Sequence, residues 1–257
     1  MADSKFLEVA KEAAIEAGKI VKGYYQSELV LQGKGHYTNF ATQADIESEA
    51  KVIEIVQRSF PDHNIIGEES GRVDNGSEYS WAIDPIDGTI PFVDGIPFFG
   101  VSVGLLKNNK PFVGVINMVG VGDIYWAEQG QGAFKNGEKI QVRDKKGLEN
   151  STIALEFGHT GRDAKIENHF RPIVSKVRYA YVFGSAVRSL TLIAQGNLDA
   201  AFISAYVWDF AAGAILVEEA GGKITNPNGE MPDYTLNHFE LIFSNKLIHD
   251  DLVDIYN

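Results

Sequence analysis

The segment WAIDPIDGTIPFVDG, residues 81–95, begins with the apolar pattern of a buried strand and places two carboxylates, Asp84 and Asp87, where that strand ends. Thr89 is positioned to cap a short helix that starts near Pro91, because the first turn of a helix tolerates proline. Two anions this close repel each other unless a cation lies between them. The segment therefore predicts a strand-to-helix junction that binds positive charge.

Two further acids stand in a similar context. Glu68 follows a predicted strand in GEES, and Asp209 opens a predicted helix in VWDF. Side chains at the ends of elements can converge even when they are distant in sequence. Oxygen ligands suit hard cations, above all Mg²⁺, and two ions about 3.5–4 Å apart can hold the attacking and leaving oxygens of a phosphoryl transfer. The expected metal ligands are Glu68, Asp84, the carbonyl of Ile86, Asp87 and Asp209.

A phosphate would find hydrogen-bond donors beside these acids. Gly88 permits close approach of the backbone, and a helix N-terminus presents free N–H groups with partial positive charge. We therefore expect phosphate to bind at the start of this helix, near Gly88 and Thr89. The Thr89 hydroxyl, together with Glu68, is expected to orient and deprotonate the attacking water.

Composition narrows the class of protein. The 257 residues are 44% hydrophobic and 23% charged, which is typical of a globular protein with one large domain or two that share an interface. A net charge of −12 disfavours nucleic acid as a partner, and no apolar run approaches the roughly 20 residues of a membrane span. The start, MADSKFLEVAKEAA, is charged where a signal peptide is apolar, and the chain has no cysteine, so we expect a cytoplasmic protein without disulfides or thiolate metal sites.

Hydrophobic periodicity divides the chain into two parts. Helical spacing over residues 4–25 and 45–60 precedes a strand-rich stretch that runs as an antiparallel meander from residue 98 to residue 142. The glycines of GQGAFKNG lie within a hairpin pattern, so we do not interpret them as a nucleotide-binding loop. Strands and helices then alternate, with strands over 151–157 and 198–204 and helices over 162–177, bent near Pro172, over 185–195 and over 208–220. We expect an N-terminal subdomain, 1–145, and a C-terminal subdomain, 146–257, without a flexible tether.

This combination of motifs resembles the inositol monophosphatase family, Mg²⁺-dependent and lithium-sensitive phosphatases related to fructose bisphosphatases. WAIDPIDGT matches the first signature of the family and VWDFAAGAILVEEAGG the second. GEES, GQGAFKNG and GSAVRSLTLIAQGNLDAAF occur around them in the family's order. The resemblance covers nearly the whole chain. It implies an α+β fold, a layered αβαβα sandwich (the sugar-phosphatase fold), with the active site between the two subdomains of one chain. It also implies a homodimer.

The resemblance also assigns roles by position. It implies two or three Mg²⁺ ions on the five ligands named above, and inhibition by Li⁺. Lys34 and Asp45 match a lysine and an aspartate that the family places near the metals. The implied catalytic residues are Glu68, Thr89, Asp45 and Lys34. The implied substrate-binding residues are Asp87, Gly184, Ser185, Ala186, Arg188 and Asp209.

The implied reaction is hydrolysis of a small polyol or sugar phosphate, similar to inositol 1-phosphate. The animal inositol enzymes carry a glutamate just before the WD segment, whereas AAFISAYVWD is one residue shorter and has no such acid, so the individual substrate stays open. One alternative is a bisphosphatase or a nucleotide phosphatase acting on fructose 1,6-bisphosphate, NADP or a 3′-phosphoadenosine compound, with Arg188 and Lys34 as candidate contacts for a second phosphate. Another is a non-catalytic metal-dependent binding or regulatory protein, which would have no use for the water-activating pair Glu68 and Thr89.

Overall fold

The larger of the two main sheets carries most of the N-terminal half. The computed structural model describes residues 3–36, 39–158 and 161–256, with backbone only at residues 34–36, 39 and 40. Its eight strands are β3 (Asn64–Gly67), β4 (Gly71–Val73), β5 (Tyr79–Asp87), β6 (Gly100–Lys107), β7 (Lys110–Met118), β8 (Asp123–Glu128), β9 (Gly132–Lys135) and β10 (Glu138–Ile140). They follow the order β10-β9-β8-β7-β6-β5-β3-β4, and every neighbouring pair is antiparallel except the parallel pair of β3 and β5. A separate two-stranded ribbon is formed by β1 (Gln32–His36) and β2 (Asn39–Ala41).

The second main sheet belongs to the C-terminal half. Its strands are β11 (Thr152–Glu156), β12 (Tyr179–Tyr181), β13 (Ala200–Tyr206), β14 (Lys223–Thr225) and β15 (His238–Ser244). They follow the order β12-β11-β13-β15-β14, with β11 parallel to both of its neighbours and β15 antiparallel to both of its own.

Helices fill the spaces around the two sheets. They are α1 (Lys5–Tyr24), α2 (Gln43–Ser59), α3 (Thr89–Val93), α4 (Arg162–Lys165), α5 (Arg171–Val174), α6 (Ala186–Ala194), α7 (Val207–Glu219) and α8 (His249–Tyr256). A 3₁₀ turn spans Leu148–Asn150, and a π-helical turn spans Ile166–Phe170. No helix in the described residues has the length and apolar character required to cross a lipid bilayer.

The elements stack as helix, sheet, helix, sheet, helix. Helices α1 and α2 pack on each other and on β5, β6 and β7, while α7 lies between the sheets with α6 beside it. Alternation along β11 separates the faces of the smaller sheet, because Ala154 packs in the central core and Ile153 and Leu155 pack in an outer core with residues of α5 and α8. This arrangement confirms the predicted α+β layered sandwich.

Helix α7 is apolar on all sides because it is covered by sheets from two directions. Glycine lets the larger sheet approach this helix closely. A Cβ atom at Gly114 of β7 would lie 2.4 Å from the carbonyl oxygen of Ala212, and one at Gly104 of β6 would lie 2.9 Å from the Cβ of Ala211. The small residues of both elements therefore set the spacing between α7 and the sheet.

A bulge in β5 determines where its two acids point. Asp84 pairs with Ser102 and Asp87 with Gly100, so β5 has one more residue than β6 between these pairs. Pro85 lies in the bulge and has no N–H to donate to the sheet. Because side chains alternate along a regular strand, residues three apart face opposite sides, and the extra residue brings Asp84 and Asp87 toward the same side.

Most predicted elements are present, with shifted ends. The second helix begins at Gln43 rather than Asp45, because Thr42 caps it and Asp45 occupies the third helical position. The helix predicted over 162–177 is present but ends earlier, at Val174: α4, the π-helical turn and α5 follow one another without a break, and Pro172 lies in the first turn of α5. The prediction also left out β1, β2, β4, β12, β14, β15 and α8, which are short or have mixed polarity.

Candidate active site

The bulge of β5 opens into a cleft between the two sheets with a volume of about 360 Å³. The four predicted acids, which come from three segments, line it together with Ile86 of the bulge and the start of α3. These lining residues are Glu68, Asp84, Asp87 and Asp209, with Ile86, Gly88 and Thr89. The structure thus brings all five predicted metal ligands to one cavity.

Asp84 is buried and is the electrostatic centre of the cluster. One of its oxygens, Oδ1, accepts a hydrogen bond from the backbone N–H of Ile86 at 2.9 Å. Burial raises the pKa of Asp84 well above its usual range, and the negative charges of Glu68, Asp87 and Asp209 raise it further. A divalent cation would relieve this repulsion.

Asp87 is buried against the start of α6. Its Oδ1 accepts hydrogen bonds from the Ser185 hydroxyl and from the N–H of Val187 at 3.1 Å, and its Oδ2 accepts from the N–H of Ala186 at 3.1 Å. Burial raises the pKa of Asp87 to about 7, although these three donors act in the opposite direction. Of the predicted substrate-binding segment, Ser185 and Ala186 therefore hold this acid in place, and Gly184 lies next to them on the cleft wall.

Gly88, and not Thr89, caps helix α3. Gly88 has a left-handed backbone with φ of 85°, and a Cβ atom there would lie 2.5 Å from the carbonyl oxygen of Phe98. Thr89 is already helical, and its hydroxyl donates to the carbonyl oxygen of Ile86 at 3.1 Å. The prediction that Thr89 caps this helix is therefore wrong, because the capping position requires a left-handed backbone that only glycine adopts easily. Thr89 still faces the cleft.

Glu68 lies beside Asp84 on a loop that is held by a buried carboxylate. The side chains of Glu68 and Asp84 are hydrogen-bonded to each other. On α2, Glu49 accepts hydrogen bonds from the N–H groups of Glu69 at 2.9 Å and Ser70 at 2.7 Å. Gly67 makes room for it, because a Cβ atom there would lie 2.7 Å from Oε1 of Glu49. Helix α2 therefore positions the loop that carries Glu68.

Asp45 lies behind this loop, on the first turn of α2. Its Oδ2 accepts from the N–H of Thr42 at 2.7 Å and from the Thr42 hydroxyl at 2.6 Å, whereas its Oδ1 is buried and has no hydrogen-bond partner. Burial raises the pKa of Asp45 to about 7, with added effects from the charges of Glu68 and Glu69. The predicted catalytic residue Lys34 lies outside the residues whose side chains the structure describes.

Asp209 reaches the cleft from the first turn of α7. Its Oδ2 accepts from the N–H of Tyr206 at 2.7 Å, so the carboxylate also caps the helix. Arg188, by contrast, does not line the cleft. Its half-buried guanidinium lies 5.2 Å from the ring centroid of Phe98, and its buried Nε has no hydrogen-bond partner.

Several residues of the cleft were not predicted. Glu156 is buried at the end of β11 and lines the cleft, and burial raises its pKa to about 8. Arg162 is the one basic residue among the described residues that line the cleft. Ser204 lines it as well, and its hydroxyl accepts from Lys165 Nζ at 2.6 Å and donates to Glu240 at 2.8 Å. An acid that closes an apolar strand, as Glu156 does in STIALEF, is the signal that could have identified one of them.

The donor set fits magnesium. In the part of the chain that the structure describes, no group of three or more His, Asp or Glu side chains is arranged to hold a metal ion by itself. Mg²⁺ is usually bound by one or two carboxylates and completes its shell with water and substrate phosphate, rather than by an all-protein cage. The carboxylates, the Ile86 carbonyl and the unpartnered Oδ1 of Asp45 supply the hard oxygen atoms that such a shell needs.

Comparison with known proteins agrees with this geometry. A sequence model described as the inositol monophosphatase family matches residues 2–255. The chain is 34% identical over 257 residues to the fructose-1,6-bisphosphatase/inositol-1-monophosphatase of Aquifex aeolicus, covering 98% of this chain and 95% of that protein. It superimposes on the crystal structure of the extragenic suppressor protein SuhB from Bartonella henselae with a TM-score of 0.91, at 29% identity and 99% coverage of both chains. For inositol monophosphatase from Anabaena the TM-score is 0.86, at 35% identity, covering 97% of this chain and 94% of that one.

The five-layered sandwich and its acid-lined cleft define a phosphoric monoester hydrolase of the sugar-phosphatase fold. More specifically, the chain belongs to the inositol monophosphatase family.

Proposed function

We propose that this chain is a Mg²⁺-dependent phosphomonoesterase that hydrolyses inositol phosphate or a closely related polyol phosphate. The observation that carries the proposal is the convergence of Glu68, Asp84, Asp87 and Asp209 on one cleft beside the start of α3. Four carboxylates would repel a phosphate, so a phosphorylated substrate requires cations among them.

The proposed metal ligands are Glu68, Asp84, the Ile86 carbonyl, Asp87 and Asp209, for two or three ions. Mg²⁺ bound there would supply positive charge that stabilises the phosphoryl oxygens and acidifies water. The donors around Asp87 and the hydrogen bond to Asp84 Oδ1 orient the remaining lone pairs of both acids. Mutual repulsion of the acids is then the driving force for metal binding.

The chain's own groups would bind the phosphate and prepare the water. The amides of Gly88 and Thr89 are the proposed phosphate donors, since both residues line the cleft at the start of α3. The Thr89 hydroxyl donates to Ile86, so its lone pairs remain to accept a hydrogen bond from the attacking water. Glu68, which lines the same cleft, is the proposed base. Asp45, whose pKa the charge of Glu68 raises, is proposed beside it, and Lys34 is proposed from the family resemblance alone.

The opposite wall of the cleft suits a substrate rich in hydroxyl groups. Gly184, Ser185, Ala186, Arg162 and Ser204 line it. The Lys165–Glu240 ion pair, with its atoms 2.8 Å apart, fixes the Ser204 hydroxyl. We propose that this polar wall contacts the substrate's alcohol groups, where the animal inositol enzymes use a glutamate. Relatives named for inositol monophosphatase activity support the same substrate class.

Phosphate release from inositol 1-phosphate, measured with Mg²⁺ and with excess chelator, tests the function. We expect release only with Mg²⁺, and a higher kcat/KM for inositol 1-phosphate than for fructose 1,6-bisphosphate, NADP or 3′-phosphoadenosine 5′-phosphate. A preference for fructose 1,6-bisphosphate would favour the bisphosphatase alternative, with Arg162 as the contact for its second phosphate. Membership in a hydrolase family disfavours the non-catalytic alternative.

Li⁺ is expected to inhibit the enzyme at millimolar concentration, because a small monovalent cation can occupy one of the oxygen-lined positions without supplying the charge of Mg²⁺. Initial rates at saturating substrate, titrated with LiCl against a NaCl control of equal ionic strength, measure this. A flat Li⁺ titration would contradict the proposed metal arrangement, although it would leave hydrolysis itself unaffected.

We further propose a cytoplasmic homodimer. A cysteine-free chain suits a reducing compartment. The edge strand β12 exposes Tyr179 and Tyr181, whose ring centroids are 4.8 Å apart, and Val182 follows with 57% of its surface exposed. Phe183 and Phe98 continue this aromatic surface toward Arg188. A second copy of the chain would cover this aromatic surface.

A further inference from the structure

One buried acid of the cleft has no part in the mechanism proposed above. Glu156 ends β11, is 7% exposed and lies on the cleft wall. Its Oε1 accepts from the N–H of Phe183 at 3.2 Å and from the Ser189 hydroxyl at 2.7 Å, and its Oε2 accepts from the N–H of Gly184 at 3.0 Å. All three donors belong to the segment that leads into α6 and to its first turns.

The same segment holds Asp87. Ser185, Ala186 and Val187, which donate to the Asp87 carboxylate, lie between Gly184 and Ser189 in the chain. The loop before Ser185 contains Gly184 with φ of 70° and belongs to no strand or helix, so its own backbone hydrogen bonds do not fix it. Glu156 accepts hydrogen bonds from residues on both sides of the three donors to Asp87, and it thereby fixes this segment to a strand of the smaller sheet.

We propose that Glu156 is a positioning residue for Asp87: by anchoring residues 183–189 to β11, it sets the direction in which the Asp87 carboxylate faces the cleft. The inference rests on the proposed function, because it assumes that Asp87 binds a metal ion. The contact also couples the two halves of the cleft, since Asp87 belongs to the larger sheet and Glu156 to the smaller one. Groups that hold a ligand in place typically change metal affinity or activity by about 10–100-fold when they are removed.

Asp199 provides a matched control for a purely structural role. It is fully buried and accepts from the N–H of Thr152 at 2.8 Å, from Arg143 Nη1 at 3.1 Å and from Asn245 Nδ2 at 3.3 Å. Thr152 begins β11 and Glu156 ends it, so the two acids anchor opposite ends of one strand, and Asp199 does not line the cleft. Loss of either acid should lower stability, but only loss of Glu156 should weaken metal binding.

The experiment compares Mg²⁺ binding to metal-free wild type, Glu156→Gln, Glu156→Ala and Asp199→Asn by isothermal titration calorimetry, well below each melting temperature. In Glu156→Gln the side-chain amide would meet an N–H or hydroxyl donor where an oxygen now accepts. We expect this variant to bind Mg²⁺ about tenfold more weakly, and the alanine variant at least as weakly. The Mg²⁺ affinity of Asp199→Asn should stay within about twofold of that of wild type, even if this variant has a lower melting temperature.

If the Glu156 variants do not fold, Ser189→Ala replaces them, because it removes one of the three donors to Glu156. We expect Ser189→Ala to bind Mg²⁺ about threefold more weakly than wild type, a smaller effect than loss of Glu156 itself. The proposal is overturned if Glu156→Gln or Ser189→Ala binds Mg²⁺ as wild type does, if Asp199→Asn loses affinity equally, or if wild type binds no Mg²⁺. Absence of Mg²⁺ binding to wild type would also contradict the proposed function, whereas failure of the proposed function alone would look different. Wild type would then bind Mg²⁺ with the expected order of affinities but release no phosphate from inositol 1-phosphate.

Discussion

Asp209 combines two tasks that a single-atom change can separate. Its Oδ2 caps α7 by accepting from the N–H of Tyr206, and its charge contributes to the field around Asp84. Asp209→Asn keeps an oxygen for the cap but removes the ligand charge. We expect kcat/KM for inositol 1-phosphate to fall by about 100-fold or more, with little change in melting temperature.

The matched control is Asp250→Asn, because Asp250 also lies in the first turn of a helix but is exposed and forms an ion pair with Lys223 at 2.8 Å, away from the cleft. Its phosphatase activity should equal that of wild type. Full activity in Asp209→Asn, measured by phosphate release at saturating Mg²⁺, would remove Asp209 from the site.

His249 makes stability depend on pH. It is fully buried between the hydroxyls of Thr225, 2.9 Å from Nε2, and Ser244, 2.7 Å from Nδ1. Burial lowers the pKa of His249 from 6.5 to about 4, and the charge of Lys223 lowers it further, against a smaller opposing effect of Asp250. Because the unfolded chain binds the proton more readily, this contribution is fully present above pH 6.5 and is lost as the pH falls toward 4.

Urea unfolding of wild type and His249→Asn at pH 7.5 and pH 5.0 isolates the effect. Wild type should lose about 1–2 kcal/mol more of unfolding free energy between these pH values than the variant does. The comparison between variants is needed because buried acids with raised pKa values, such as Glu156, change stability in the opposite direction. Equal losses in both proteins would show that His249 does not titrate in this range.

Individual residues also mark where sequence reasoning succeeds. Asp84 and Asp87 were predictable because the sequence places them where a strand must end. The roles of Glu156 and Glu49 were not, because each role comes from burial against a particular backbone segment that is distant in the sequence. A single sequence shows the acid but not the N–H groups that surround it.

At the scale of elements, the contact between β7 and α7 should be sensitive to one added methyl group. A Cβ atom at Gly114 would lie 2.4 Å from the Ala212 carbonyl oxygen and 2.6 Å from Ile215 Cγ2. Gly114→Ala would have to push the helix away from the sheet. We expect it to lower the unfolding free energy by about 1–3 kcal/mol, measured by urea denaturation.

Gly23→Ala is the control for this prediction. Gly23 lies near the end of α1 with no atom within 4 Å of an added Cβ, so alanine there should be neutral or stabilising by up to about 1 kcal/mol. A Gly114→Ala variant as stable as wild type would mean that α7 and the sheet can separate without cost.

Element types were predicted better than element ends. Helix α1 was predicted nearly to the residue because its apolar positions repeat regularly over 20 residues. The segment from Arg162 to Val174 has helical spacing too and is helical throughout, but Ile166–Phe170 form a π-helical turn within it, and Phe170 is buried in the outer core. Apolar spacing alone does not distinguish such a turn from a regular α-helix.

At the scale of the whole molecule, the exposed aromatic residues around β12, Tyr179 and Tyr181 among them, lead us to predict a homodimer. Light scattering after size exclusion should give twice the chain mass of 28.2 kDa. A Tyr179→Glu/Tyr181→Glu double variant should give the monomer mass, because charge on an exposed edge strand opposes pairing. Val30→Glu, at a residue that is 79% exposed elsewhere, should remain a dimer. A wild-type monomer at micromolar concentration would contradict the proposal.

The division into subdomains 1–145 and 146–257 stays a prediction. The two sheets do fall on either side of residue 145, but one hydrophobic core joins them, since Ile116 and Tyr125 of the larger sheet pack in the same cluster as Ile203 and Phe243 of the smaller one. The active cleft lies across this boundary, with Asp84 and Asp87 on one side and Asp209 and Ser185 on the other.

From the sequence alone, the signature motifs implied the class of fold and the reaction class through the resemblance to a family, and the acids at element ends indicated which carboxylates line the cleft, because motifs and element ends are local properties. Tertiary structure alone decided that a bulge turns Asp84 and Asp87 the same way, that Gly88 caps α3, and that Glu156 reaches the segment holding Asp87. These features depend on contacts between residues up to 100 positions apart, such as Asp87 with Val187. No local pattern encodes such distances, since they arise only when the layers pack.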